Sequence, residues 1–126
     1  MARYADVVVE HLESPHNRRG LPGADAVGRA VGPSGPRVAI HLKLSQNTVV
    51  EACFEAAGCG VTIACCSRLT EWIEGRSLRE CLAIDGAALS RELGQLPGDK
   101  QHCAELAVAG LRDALGQIER AREMNS

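Results

Sequence analysis

The chain has 126 residues, about one domain's worth, since single domains most often run to roughly 100–150 residues, and residues 1–126 are read as a single unit. At 45% hydrophobic and 24% charged it is too apolar for a disordered tail. Three aromatic residues and a formal net charge of −2 argue against a base-stacking nucleic-acid module. No run approaches the ~20 apolar residues of a membrane span or forms a signal-peptide core, so the expected setting is the cytoplasm.

Tyr4, Val7, Val8 and Leu12 share one helical face in a segment from Arg3 to Leu12, which Pro15 stops. Asn17 to Pro36 is rich in Gly and Pro, with Val27 to Val31 as a weak edge strand. Val38, Ile40, Leu42 and Leu44 then alternate with polar or small residues. Ser45-Gln46-Asn47 leads into a return run that puts Val50, Ala52 and Phe54 on one face, which predicts a β-hairpin.

After Gly58-Cys59-Gly60 the chain reads as helical. Val61, Cys65, Leu69 and Trp72 line one side of a helix closed by Gly75, with Ser67, Thr70, Glu71 and Glu74 on the far side. Ser77 to Glu80 fits a capping box before a short helix burying Leu78, Cys81 and Leu82. Another short helix carries Leu89 and Leu93. Asp99 is placed to cap a last long helix with the stripe Cys103, Leu106, Ala107, Gly110, Leu111, Ala114, Leu115 and Ile118, and the tail from Arg120 to Ser126 is expected to fray. Strands first and helices second give the α+β class.

Six cysteines in a chain with so few aromatics suggest metal or sulfur chemistry, or plain burial, ahead of disulfides in a reducing compartment. Cys65 and Cys81 read as small core residues. Cys53 alternates away from Phe54 and is expected on the opposite strand face, under solvent or a partner. Cys66 sits at the rim of its helix stripe, about 100° from Cys65, and a vicinal disulfide between the two would be strained. Cys59, flanked by glycines at a strand-to-helix turn, should present an accessible sulfur. Cys103 lies in the first turn of the last helix, where free amides and the dipole favour a thiolate, and His102 adjoins it. Two thiols and an imidazole are donors suited to zinc or to iron in a cluster. A Cys103/His102 hydrolase pair is disfavoured because neighbouring residues in a helix diverge by about 100°. Neither Gly-rich stretch fits a phosphate loop.

The same residues carry a resemblance. Tyr4-Ala5-Asp6-Val7-Val8, His11, Ser14-Pro15-His16-Asn17, Phe54 through Gly58-Cys59-Gly60, Ile63-Ala64, Ser67, Leu69 to Ile73, Gly75-Arg76-Ser77-Leu78 and Lys100-Gln101-His102-Cys103 are similar to the U-type iron-sulfur cluster assembly scaffolds: IscU, SufU and the N-terminal domain of NifU. The resemblance implies a three-stranded antiparallel sheet packed by helices, no enzymatic activity, and a cluster site at one exposed end. Family members build that site from three cysteines, an Asp after the first and a His before the last. The second and third cysteines fall on Cys59 and Cys103, and the His on His102.

Where the family has its first Cys-Gly-Asp, this chain has Ser34-Gly35-Pro36, so the first thiol and the carboxylate are both absent. Ser34 is a poor donor at neutral pH. Cys66 could turn inward as a fourth donor, two subunits could pool Cys59 and Cys103 as a homodimer through the site, or an external thiol could complete the shell. The implied cargo is a [2Fe-2S] cluster, or a [4Fe-4S] cluster shared by a dimer, with zinc as an alternative occupant. The implied partners are a cysteine desulfurase and apo iron-sulfur client proteins. The family's Leu-Pro-Pro-Val-Lys chaperone segment reads Leu96-Pro97-Gly98-Asp99-Lys100 here, so a chaperone interaction does not carry over. The leading reading is a scaffold or carrier. The alternatives are a zinc-binding or metal-free paralogue regulating the desulfurase system, or a persulfide acceptor using Cys103.

Overall fold

The alternating segment does form a hairpin. In the computed structural model, which describes residues 4–125, β2 (Arg37–Ser45) and β3 (Thr48–Ala57) pair antiparallel, with Ile40 opposite Phe54 and Leu42 opposite Ala52, all four fully buried. Gln46, at φ 58°, and Asn47 make the turn. The register shifts between Lys43 and Leu44, so that Lys43 faces Glu51 while Leu44 faces Val49. This bulge overturns the expected face of Val50: an extra residue reverses the side-chain parity beyond it, leaving Val50 49% exposed and Val49 buried. The weak strand is a full member of the sheet. β1 (Ala26–Val31) pairs antiparallel with β2, giving the order β1-β2-β3.

The last helix, α5 (Gln101–Met124), lies directly on this sheet. A Cβ at Gly28 of β1 would stand 2.1 Å from the Gly110 carbonyl oxygen and 2.3 Å from the Ala114 nitrogen, so backbone meets backbone there. Side chains of α5 also occupy the outer edge of β1. Asp113 Oδ2 accepts from the Arg29 amide at 2.8 Å, and Gln117 Nε2 donates to the Val27 carbonyl at 2.7 Å. The outer edge of β3 is taken in turn: Phe54 N–H donates to Asn17 O at 2.9 Å, Ala52 N–H to Glu74 Oε2 at 3.2 Å, and Val49 N–H to Arg76 O at 2.9 Å.

Helix α2 (Gly60–Ile73) buries Val61, Cys65 and Leu69 as expected, while Trp72 is half-buried with the Arg76 guanidinium 5.9 Å from its ring centre. Its supposed far side is not free: Ser67 and Thr70 are fully buried, because α1 (Asp6–Glu13) and the residues after it cover that face. Arg3 lies outside the described residues, Tyr4 precedes the helix, and the residues α1 buries are Val8 and His11, with Val7 and Leu12 half-buried. The contact between α1 and α2 is polar at its centre. Ser67 Oγ accepts from the His16 amide at 2.7 Å and bonds His11 Nδ1 at 2.6 Å. Glu71 holds His16 Nδ1 and takes a 2.6 Å bond from Arg68, which also reaches Glu92 at 2.5 Å.

The capping box of α3 (Leu78–Leu82) is present, with Ser77 accepting from Glu80 N and Glu80 from Ser77 N. So short a helix turns only one residue fully inward: Cys81 is buried, but Leu82 is 58% exposed, contrary to expectation. α4 (Gly86–Glu92) is capped by Asp85 and carries buried Leu89, with Leu93 buried at its end. Asp99 does not cap α5. It lies inside a 3₁₀ turn (Gly98–Lys100), and α5 starts at Gln101 without a side-chain cap. The tail is helical to Met124 and exposed rather than frayed, with Ser126 outside the described residues. Among the described residues no helix is long and apolar enough to cross a membrane. The class is α+β, as expected.

Candidate functional site

Three connections meet at one end of the sheet: the β1–β2 loop, the turn from β3 into α2, and the start of α5. They border a cleft of about 550 Å³ whose walls include Ser34, Pro36, Cys59, Thr62, Lys100 and His102. Ser34 and Gly35 both take positive φ, 70° and 100°, and fold the loop tightly enough for Gly32 N–H to reach Pro36 O at 2.8 Å. The glycines beside Cys59 serve packing as well as access. A Cβ at Gly58 would lie 3.1 Å from Pro36 Cβ, and one at Gly60 would lie 2.8 Å from Leu12 Cδ2.

Cys59 is exposed and Cys103 is wholly buried behind it, their sulfurs 3.8 Å apart. His102 Nε2 is 3.6 Å from Cys103 Sγ, and Thr62 Oγ1 is 3.5 Å from Cys59 Sγ. Burial pushes the Cys59 thiol up, but hydrogen bonds from the Thr62 hydroxyl and amide, from Cys103 and from the Val61 amide outweigh it and bring the pKa down to about 7. For Cys103 the balance is opposite: burial dominates and holds its pKa above the usual thiol value, with the Cys59 charge adding to the rise. The expectation of a helix-start thiolate at Cys103 is therefore corrected, because burial outweighs the favourable helix terminus.

The divergence expected of Cys103 and His102 is also corrected, since the distal imidazole nitrogen reaches back to the sulfur. Among the described residues no three His, Cys, Asp or Glu side chains are already disposed to hold a metal ion. Cys59, His102 and Cys103 are brought together in sequence of contact, not around one centre.

Ser34 shares the cleft with Cys59 and His102. Cys66 is fully buried in the core, where burial pushes its thiol far up, as it does for Cys65. Cys81 is buried as expected, its pKa raised to about 11 by burial. Cys53 is a correction: it is completely buried. The chain through Arg18 and Leu21 returns over that face of the strand, bridging Phe54 and donating Leu21 N–H to His41, the cross-strand neighbour of Cys53. Sequence reasoning missed Thr62, although it stands three residues after Cys59, the spacing at which an N-cap residue meets the third helical position.

The model for the NifU-like N-terminal domain matches residues 3–125. The iron-sulfur cluster assembly scaffold protein IscU of Haemophilus influenzae is 35% identical over 121 residues, covering 92% of this chain and 95% of that protein. The scaffold protein IscU 1 of Archaeoglobus fulgidus is 33% identical over 129 residues, covering 96% and 84% respectively. The crystal structure of a nitrogen-fixing NifU-like protein (N-terminal) from Brucella abortus shares the fold, with a TM-score of 0.77 at 20% identity over 94% of this chain and 95% of that one. On the extent of these matches, the chain belongs to the NifU-like N-terminal domain family, the group its sequence resembles.

Proposed function

We propose that this protein holds an iron-sulfur cluster, or its iron and sulfide precursors, at the cleft end of the sheet, and delivers it to apo-proteins in the cytoplasm. The relatives named as cluster assembly scaffolds support the general role. The observation that carries the reading to this chain is the pair of thiols 3.8 Å apart beside an open cleft. Cluster iron is held by thiolates. Cys59 is the sulfur that iron meets first, since it is exposed and its pKa is about 7. Cys103 gives up its proton as the metal arrives, because metal binding and thiol deprotonation are linked. His102 supplies a borderline nitrogen donor at the rim.

Two thiols and one imidazole leave a shell short of a donor. The weak oxygen of Ser34, a second copy of the chain or an external thiol completes it. Among the described residues no carboxylate lines the cleft; without the Asp that the resembled family places at its site, a bound cluster exchanges slowly and the protein is a carrier more than a rapid-turnover scaffold. Reconstitution with ferrous iron and sulfide under nitrogen tests this by visible charge-transfer absorption. The absorption is expected in the unaltered protein and at least ~10-fold weaker in Cys59→Ser and Cys103→Ser. Equal absorption in both variants rules the reading out.

A second reading, sulfur acceptance from a cysteine desulfurase, is favoured by the same exposed, easily ionised Cys59. The accessible thiol for that chemistry is Cys59 and not Cys103. Mass spectrometry after desulfurase treatment should find one added sulfur atom on the Cys59 peptide.

A further inference from the structure

We propose that Cys59 and Cys103 form a reversible intramolecular disulfide under peroxide, with Cys59 attacked first and Cys103 acting as the resolving thiol. Cys59 is the exposed cysteine and the other five are buried, so an oxidant arriving from solution meets Cys59. The Cys103 sulfur lies 3.8 Å behind it, against about 2.05 Å in a disulfide. The remaining approach, under 2 Å, is within the reach of side-chain rotation. Cys65 and Cys66, the other thiols close enough to feel the charge of this pair, are fully buried in the core.

The steps balance. The Cys59 thiolate attacks one oxygen of hydrogen peroxide, the O–O bond breaks, and sulfenic acid and hydroxide form; Cys59 has lost two electrons and peroxide has gained them. Cys103 sulfur then attacks Cys59 sulfur, the S–O bond breaks, and the oxygen leaves as water with the Cys103 proton. Overall, two thiols and one peroxide give one disulfide and two waters. The resolving thiol is part of the same molecule, at an effective concentration of mM or more, so at micromolar protein the internal bond forms at least ~100-fold faster than a dimer through two Cys59 residues.

The modification takes the cleft-lining Cys59 and Cys103 behind it, while the third segment that borders the cleft offers Ser34 in place of a thiol. Resting on the proposed cluster-holding role, one disulfide removes both thiol donors and leaves the protein unable to load until it is reduced. It also spares Cys59 from further oxidation to the irreversible sulfinic acid.

The test treats metal-free, reduced protein at micromolar concentration with a small excess of hydrogen peroxide. The expected product is a monomer lighter by two hydrogen atoms, with peptide mapping of the unaltered protein placing the cross-link between Cys59 and Cys103 and dithiothreitol restoring the starting mass. Cys103→Ser should stop at a sulfenic acid on Cys59 that dimedone traps, and Cys59→Ser should lose the internal bond altogether. A covalent dimer through Cys59, a cross-link to any other cysteine, or a sulfinic acid on Cys59 beside an unreacted Cys103 overturns the proposal. Cluster loading of oxidised and re-reduced samples is read separately: failure of the reduced protein to load counts against the cluster-holding role and leaves the mass result standing.

Discussion

Cys59 and Cys103 sit 3.8 Å apart and are pushed in opposite directions, Cys59 down to about 7 and Cys103 up. The difference follows from which sulfur burial controls and which one hydrogen bonds control. With its pKa brought down to about 7, Cys59 carries far more thiolate at neutral pH than an ordinary thiol. Alkylation by iodoacetamide should therefore modify Cys59 first, with a rate rising through pH 7 and levelling above about 8. Thr62→Val removes one of the hydrogen bonds that hold the thiolate, so it should move that profile upward and slow the reaction at pH 7 several-fold, read by peptide mass spectrometry. Ser34→Cys puts a thiol on the third segment of the cleft, in a loop already shaped by positive φ at that position. It should increase the cluster absorption that survives a chelator challenge by several-fold. At this scale the sequence was legible for Cys59, Cys65 and Cys81, whose environments are set by neighbouring residues. Cys53 was not, because the chain that buries it comes from some thirty residues earlier.

Between elements, the tightest joint is Gly28 of β1 against Gly110 and Ala114 of α5. Gly28→Ala places a methyl group on backbone atoms that cannot rotate away, and the overpacking should cost about 3 kcal/mol or more, measured by denaturant unfolding. The joint between α1 and α2 has a pH dependence. Burial lowers the pKa of His11 below 6.5, the attraction of Glu71 opposing it only in part. The unfolded chain then binds the proton near 6.5 while the folded chain does not, so stability is lost as pH falls below 6.5 toward the lower folded value. Glu71 adds to this: burial raises its pKa, but bonds from Arg68 and His16 bring it below 4.5, so its contribution fades as pH falls through that range. Unfolding at about pH 7.5 and pH 5.5 should show the loss, and His11→Gln should flatten the slope even though it lowers stability at neutral pH. The hairpin, capping box and long helix were readable from local spacing. The bulge at Val50 and the burial of Ser67 and Thr70 were not, since one depends on a register shift across strands and the other on a covering helix distant in sequence.

On the scale of the molecule, the candidate site gathers at one end of the sheet, while parts of both sheet margins are engaged within the chain. Asp113 and Gln117 bond the outward backbone groups of Arg29 and Val27 on β1, and Asn17, Glu74 and Arg76 those of Phe54, Ala52 and Val49 on β3. Asp113→Ala with Gln117→Ala should strip the first set of partners and increase concentration-dependent association relative to the unaltered protein, visible by light scattering. With Val27 and Arg29 on one margin and Val49, Ala52 and Phe54 on the other already engaged, recruiting a partner by lengthening the sheet at those positions is disfavoured. For the proposed cluster-holding role, that arrangement leaves the cleft end as the face through which cargo would enter and leave.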